Sequence, residues 1–188
     1  MKLSLLVTIL SQLFFVSEVA LSLSRRSKSG AKSNDRGSLW ALWIILMSGV
    51  FFGVFATNYW PQTRLHPVAT WQVIGCVMMI LGGGLRWWSI IYLGRFFTVN
   101  VAVHDQHRVV DTGPYRYVRH PSYAGAVVAF LGLACGLASW VSIVAIATAT
   151  FLAYGWRIRV EEQALTGALG ENYAQYMQRT KRLVPGIY

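Results

Sequence analysis

The sequence predicts an all-α integral membrane protein with five transmembrane helices, the last two forming a helical hairpin, plus a cytoplasmic loop and a C-terminal interfacial helix that build a pocket. Three observations carry this. Of the 188 residues, 55% are hydrophobic and 13% charged, against roughly 25% charged in average soluble domains. Five apolar stretches have lengths suited to helices in a bilayer. Lysine and arginine fall almost entirely on one side of those stretches. A soluble domain with a mean hydropathy of +0.44 could not cover its apolar surface. The 8 Trp, 9 Tyr and 9 Phe exclude low-complexity disorder. Cys76 and Cys135 lie far apart in apolar runs, which argues against a disulfide framework or a Cys-rich zinc site.

A bilayer core about 30 Å thick needs roughly 20 helical residues. Residues 3–23 hold one charge, Glu18. Residues 39–60 hold none, and residues 67–93 hold one, Arg86. Residues 122–138 and 140–156 are uncharged, shorter, and joined tightly at Ser139-Trp140, so they read as a hairpin. Gly125, Gly132 and Gly136 lie on or near one face of its first arm, where small residues let helices approach closely. Gly82-Gly83-Gly84 lacks the Lys-Ser/Thr of a phosphate loop and instead permits close packing or a break beside Arg86. Arg86 is expected to snorkel to the cytoplasmic interface.

The net charge is +10. No basic stripe follows a soluble helix, so nucleic acid is not the expected partner. Membrane lipids are. Placing the N-terminus outside puts fourteen of the seventeen Lys and Arg in residues 24–38, 94–121 and 157–188. The positive-inside rule makes these segments, and the C-terminus, cytoplasmic. Cleavage of the first segment as a signal peptide would carry Arg25 to Arg36 outward and is disfavoured. The organisation expected is residues 1–93, three spans with a Ser, Gly and Arg-rich linker at 24–38, followed by a second region at 94–188. The latter divides into a loop (94–121), the hairpin (122–156) and a tail (157–188).

The loop runs HDQHRVVDTGPYRYVRHPSYAG from His104 to Gly125. Asp111-Thr112-Gly113-Pro114 is a turn signal. Pro121 suits the first turn of a helix, so His120, Pro121, Ser122 and Tyr123 open the fourth span, where unpaired N–H groups favour an anionic group. Tyr115, Arg116, Tyr117 and Arg119 also fit plain interface anchors. His104-x-x-His107 lacks the further ligands of a metal site, so no metal is expected. In the tail, Arg157 and Glu161 share a helix face at i,i+4, which alone would be a salt bridge worth about 0.2–0.5 kcal/mol. Glu161 and Glu162 are about 100° apart around a helix, so at most one faces a site. From about Gln163 to Arg179, Leu165, Leu169, Tyr173, Tyr176 and Met177 repeat on one face and predict an amphipathic interfacial helix. Pro185 ends any continuation. A pocket built from the loop, the foot of the fifth helix and the tail is half polar and half lipidic, which suits an enzyme joining a water-soluble cosubstrate to a membrane-borne one.

GPYRYVRHPSYAG (Gly113–Gly125), R-x-x-x-EE-x-x-L (Arg157–Leu165), GENYAQY (Gly170–Tyr176) and Pro185 together resemble the isoprenylcysteine carboxyl methyltransferase family, with much of the pattern shared by phospholipid N-methyltransferases. The resemblance covers residues 94–188. It implies a methyltransferase that takes S-adenosylmethionine from the cytosol and a lipophilic small-molecule or lipidated acceptor from the bilayer. It implies cofactor binding by His107, Arg108, Val109, Val110, Tyr115, His120, Pro121, Ser122, Tyr123 and Glu161, and substrate binding by Arg157. Arg157 and Glu161 are then the pair closest to the reaction. Asn100 stands where the family has Gln. The short chain resembles a compact prokaryotic member, in an inner or cell membrane. Two other enzymes fit part of the pattern. A phospholipid or amine N-methyltransferase would need a base, for which Glu162 or His104 is the candidate. An NADPH-dependent membrane reductase would use Arg108, Arg116 and Arg119 for phosphate. A non-enzymatic membrane interaction protein would use the loop only as an anchor.

Overall fold

The computed structural model describes residues 2–24, 37–94, 97 and 109–188. The described residues form α1 (Lys2–Ser24), α2 (Ser38–Tyr59), a 3₁₀ turn (Pro61–Thr63), α3 (Val68–Leu93), a second 3₁₀ turn (Gly113–Arg116), α4 (Pro121–Gly136), α5 (Trp140–Leu169) and α6 (Glu171–Arg179). No strand occurs among them. Helices α1, α2, α3 and α5 are long and apolar enough to cross a membrane, and α4 is a shorter apolar helix. Apolar side chains cover much of the outside of these helices, Trp40, Phe51, Ile91 and Leu152 among them, as a bilayer solvent allows.

The bundle has two tightly packed pairs, α3 with α4 and α2 with α5. Small residues make the first pair. Gly75 and Gly82 on α3 are seven residues apart, as are Gly125 and Gly132 on α4. A Cβ on Gly82 would lie 2.5 Å from Ala129 N and 2.6 Å from Gly125 O, and one on Gly75 would lie 2.5 Å from Gly132 O. The backbones therefore touch, which is how helices gain van der Waals contact when lipid competes for every apolar side chain. Gly83 has open space around it. The expected results are opposite in sign. Gly82→Ala should destabilise the bundle by about 1–3 kcal/mol through overpacking, whereas Gly83→Ala should be neutral or stabilise it by up to about 1 kcal/mol through helix propensity. Thermal melts in detergent check both.

At the end of the bundle opposite the α4 N-terminus, Leu137–Ser139 turns α4 into α5. The Ser142 hydroxyl donates to Gly53 O at 2.6 Å and the Thr63 and Ser139 hydroxyls lie 2.8 Å apart. These bonds satisfy polar groups that lipid could not.

Two expectations need correction. The proposed interfacial helix from Gln163 to Arg179 is two pieces. Residues 163–169 continue α5, and Gly170 (φ 54, ψ −130) ends it. That positive φ is open to glycine, so the chain reverses there and α6 begins. α6 is amphipathic as expected: Tyr173 and Tyr176 are buried, while Glu171, Asn172, Gln175, Gln178 and Arg179 are exposed. Nor does Arg86 snorkel. It is 6% exposed and pairs with Glu18 of α1, also 6% exposed. A bare guanidinium would seek water, but one with a carboxylate in reach can stay inside.

Candidate active site

The site forms where α4 begins and α5 leaves its apolar stretch. Two segments meet there. Residues 118–120, just before α4, lie beside residues 181–182: Arg119 N–H donates to Lys181 O at 2.8 Å and His120 N–H to Arg182 O at 3.0 Å. Pro121 then opens α4 without an N–H to satisfy. The C-terminal strap thus fixes the entry to the helix that carries His120 and Tyr123.

Glu161 and Glu162 take different roles, as adjacent helix positions require. Glu162 is buried and accepts from Arg119 Nε at 2.9 Å and from Arg182 Nη2 at 2.7 Å. Arg119 also donates to the carbonyls of Met177 (3.1 Å) and Thr180. Arg119 is therefore more than an interface anchor: with Glu162 it binds α4, α5, α6 and the strap into one unit. Glu162→Ala would leave the Arg119 guanidinium buried without its carboxylate, a cost of about 3–5 kcal/mol. Faster hydrogen exchange in residues 180–188 is the expected readout.

Glu161 is partly open, with its side chain 29% exposed. It accepts from the Tyr123 hydroxyl at 2.5 Å. Arg157, one turn earlier and 2% exposed, donates to the same hydroxyl from Nε at 3.4 Å and to Ser38 Oγ of α2 from Nη1. Tyr123 thus joins the two residues singled out in the tail. His120 is 5% exposed and its ring stacks on Tyr123 with centroids 5.5 Å apart. His120 Nε2 lies 3.4 Å from Glu162 Oε1 and Nδ1 lies 4.0 Å from Glu161 Oε1. Nε2 sits within ion-pair range of Glu162, off the line of a good hydrogen bond. A buried imidazole nitrogen of that kind is costly unless something completes it.

The aromatic groups complete the wall. Tyr176 OH donates to Tyr115 O at 2.6 Å, and Tyr115 OH to Ser89 O at 3.3 Å. Burial pushes the phenols of Tyr115, Tyr173 and Tyr176 up from their ordinary value, so each stays a neutral donor at physiological pH. Ser122 turns the other way: its carbonyl and hydroxyl accept from Arg86 Nη1 at 3.2 and 3.1 Å. Val109 and Val110 are half-buried. His104, His107 and Arg108 lie outside the described residues. The sequence reading passed over Arg182 and Ser38. A lone serine at the start of an apolar run gave no signal, and Arg182 looked like one more positive charge in a basic tail.

A cavity adjoins this cluster. Its lining mixes polar side chains, Arg157, Tyr123, Tyr154, Arg86 and Glu18, with apolar ones, Leu39, Leu42, Trp43, Leu46 and Phe130. The cavity volume is about 30 Å³. Helices α1 and α2 supply facing walls and touch lightly, as where Phe15 meets Trp43 edge-on at 6.1 Å.

The family model for isoprenylcysteine carboxyl methyltransferases matches residues 73–167. This stretch runs from α3 to near the end of α5 and contains His120, Tyr123, Arg157, Glu161 and Glu162. The chain belongs to the isoprenylcysteine carboxyl methyltransferase family. It is similar to "Protein-S-isoprenylcysteine O-methyltransferase B" of Arabidopsis thaliana, 35% identical over 133 residues that cover 69% of this chain and 66% of that protein. "Protein-S-isoprenylcysteine O-methyltransferase" of Xenopus laevis is 32% identical over 132 residues, covering 67% of this chain and 46% of its own length. Among solved structures, the "eukaryotic intramembrane Ras methyltransferase ICMT" superposes with a TM-score of 0.62 at 26% identity, covering 77% of this chain and 52% of that one. The chain thus spans between about half and two thirds of the length of these family members. Together with the apolar helices, this makes the chain an integral membrane protein of the family's fold. Glu18 and Ser38 lie outside the matched residues.

Proposed function

We propose that this chain transfers a methyl group from S-adenosylmethionine to the carboxylate of a lipophilic, isoprenylcysteine-like acceptor. The observation that carries the proposal is the shared Tyr123 hydroxyl, which links the partly open carboxylate of Glu161 to the buried guanidinium of Arg157. One ionic group suits a cationic cofactor and the other an anionic acceptor. The catalytic side chains then fall in residues 94–188, with the N-terminus outside and residues 94–121 and 157–188 cytoplasmic.

The residues fit the cofactor on their donor set. Glu161 is open enough to accept from amine or hydroxyl groups, and His120 Nε2 is held off the hydrogen-bond line of Glu162. Backbone N–H groups at the start of α4 are left unpaired within the helix. Val109, Val110, Tyr115, His120, Pro121, Ser122, Tyr123 and Glu161 would hold the cofactor, together with His107 and Arg108. Ser122 would contribute through its backbone N–H, since its side chain engages Arg86. When bound, S-adenosylmethionine supplies an electrophilic methyl group on a sulfonium.

An acceptor carboxylate is ionised at neutral pH, so no general base is needed. What the protein must do is align the carboxylate and remove water. Arg157 orients it by a charge-assisted contact. The apolar lining of the cavity would meet the lipid chain as the cavity opens, and the light contact between α1 and α2 offers a way in from the bilayer. The test is methyl transfer from isotopically labelled S-adenosylmethionine to an S-prenylated cysteine. Labelled methyl ester is expected. Label entering phosphatidylethanolamine instead would replace this function with amine methylation.

A further inference from the structure

The mechanism above leaves one buried ionic pair unused. Arg86 Nη2 donates to Glu18 Oε2 at 2.5 Å and Nε to Oε1, a two-pronged contact between α3 and α1. Both side chains line the same cavity as Arg157. They are its charged residues, with Arg157, among the described lining residues. Arg86 also holds Ser122 at the start of α4. A structural tie between three helices would not need to line the cavity that also holds Arg157. Ionisable groups at membrane depth are expensive even when paired, and by default they mark functional sites.

We propose that Glu18 is a specificity-determining residue: by cancelling the charge of Arg86 within the cavity, it restricts the acceptor to amphiphiles whose head carries a single negative charge. This rests on the reading of the cavity as the acceptor site. An arginine remains protonated even when buried, so its charge can be answered only by a counter-charge. With Glu18 present, Arg86 is committed within the protein. Without it, the cavity gains one positive charge and a doubly charged head becomes favourable, because uncompensated charge is expensive in a low-dielectric site. Glu18 touches no reacting atom in this scheme and acts through the charge of Arg86.

The test compares two probes of one shape and different charge, decylsulfonate (one negative charge) and decylphosphonate (two at pH 8.5). Their affinities are measured by calorimetry on the whole chain in a neutral detergent. Wild type is expected to favour the sulfonate. Glu18→Gln should shift the affinity ratio toward the phosphonate by roughly tenfold or more. Glu18→Ala, which admits water beside Arg86, should shift it the same way. The double variant Glu18→Gln/Arg86→Met, which removes both charges, should return the ratio to that of wild type. A loss of stability alone would not change the ratio between two probes. If both bind and the ratio is the same in wild type and Glu18→Gln, the proposal is overturned and the acceptor cavity stands. If neither probe binds wild type, the acceptor reading falls and the proposal with it. Aggregation of both single variants beside a folded double variant would assign the pair to stability and also overturn it.

Discussion

Arg157→Ala is expected to lower methyl transfer by roughly 100-fold, in line with the cost of misplacing a reactant by about 1 Å. S-adenosylmethionine affinity should stay close to that of wild type. Arg157 is 2% exposed and is held by Tyr123 and by Ser38 of another helix. Its guanidinium is therefore fixed before an acceptor arrives, and little ordering is left to be done on binding. Arg157→Lys keeps the charge and loses the planar fork, so it should recover only part of the rate. A rise in acceptor KM with unchanged kcat would assign Arg157 to uniform binding, whereas a fall in kcat identifies alignment in the transition state. Loss of cofactor binding in Arg157→Ala would move this residue into the other half of the site.

The second large effect is expected at Glu161. Glu161→Ala should weaken S-adenosylmethionine binding by roughly 10- to 100-fold, the range for losing a hydrogen bond to a charged group, about 1.5–3 kcal/mol. Tyr123→Phe separates two contributions. It removes the hydroxyl that donates to Glu161 at 2.5 Å but leaves the carboxylate, so it should cost less than Glu161→Ala. Equal cofactor affinity in Glu161→Ala and wild type would overturn the assignment. Glu162→Ala makes the contrast, since Glu162 is engaged with Arg119 and Arg182 and should show itself chiefly in the anchoring of the C-terminal strap.

What could be read from sequence follows the range of the physics. Helix positions are local: apolar runs with at most one charge gave α1, α2 and α3 to within one or two residues, and Pro121 marked the start of α4. The division of labour between Glu161 and Glu162 was legible too, because adjacent residues on a helix must diverge. The seven-residue spacing of Gly125 and Gly132 identified the close-packed face. Partners across the fold were not legible. Glu18 and Arg86 each stood out as the one charge in its span, but their pairing depends on how α1 and α3 rotate about their axes, and no local pattern sets that. Arg119 looked like an anchor for a similar reason, since its carboxylate is 43 residues away. The break at Gly170 was missed because the apolar spacing continues across it: Leu165, Leu169, Tyr173 and Tyr176 keep a helical period while the backbone turns.

His120, Tyr123 and Glu161 are the core of the proposed S-adenosylmethionine site. Calorimetry on the detergent-purified chain, with S-adenosylmethionine and NADPH titrated separately, tests it most directly. Micromolar binding of S-adenosylmethionine that is abolished by His120→Ala, with no binding of NADPH, is the expected result. Binding of NADPH in its place, or S-adenosylmethionine binding indifferent to both His120→Ala and Glu161→Ala, would contradict it.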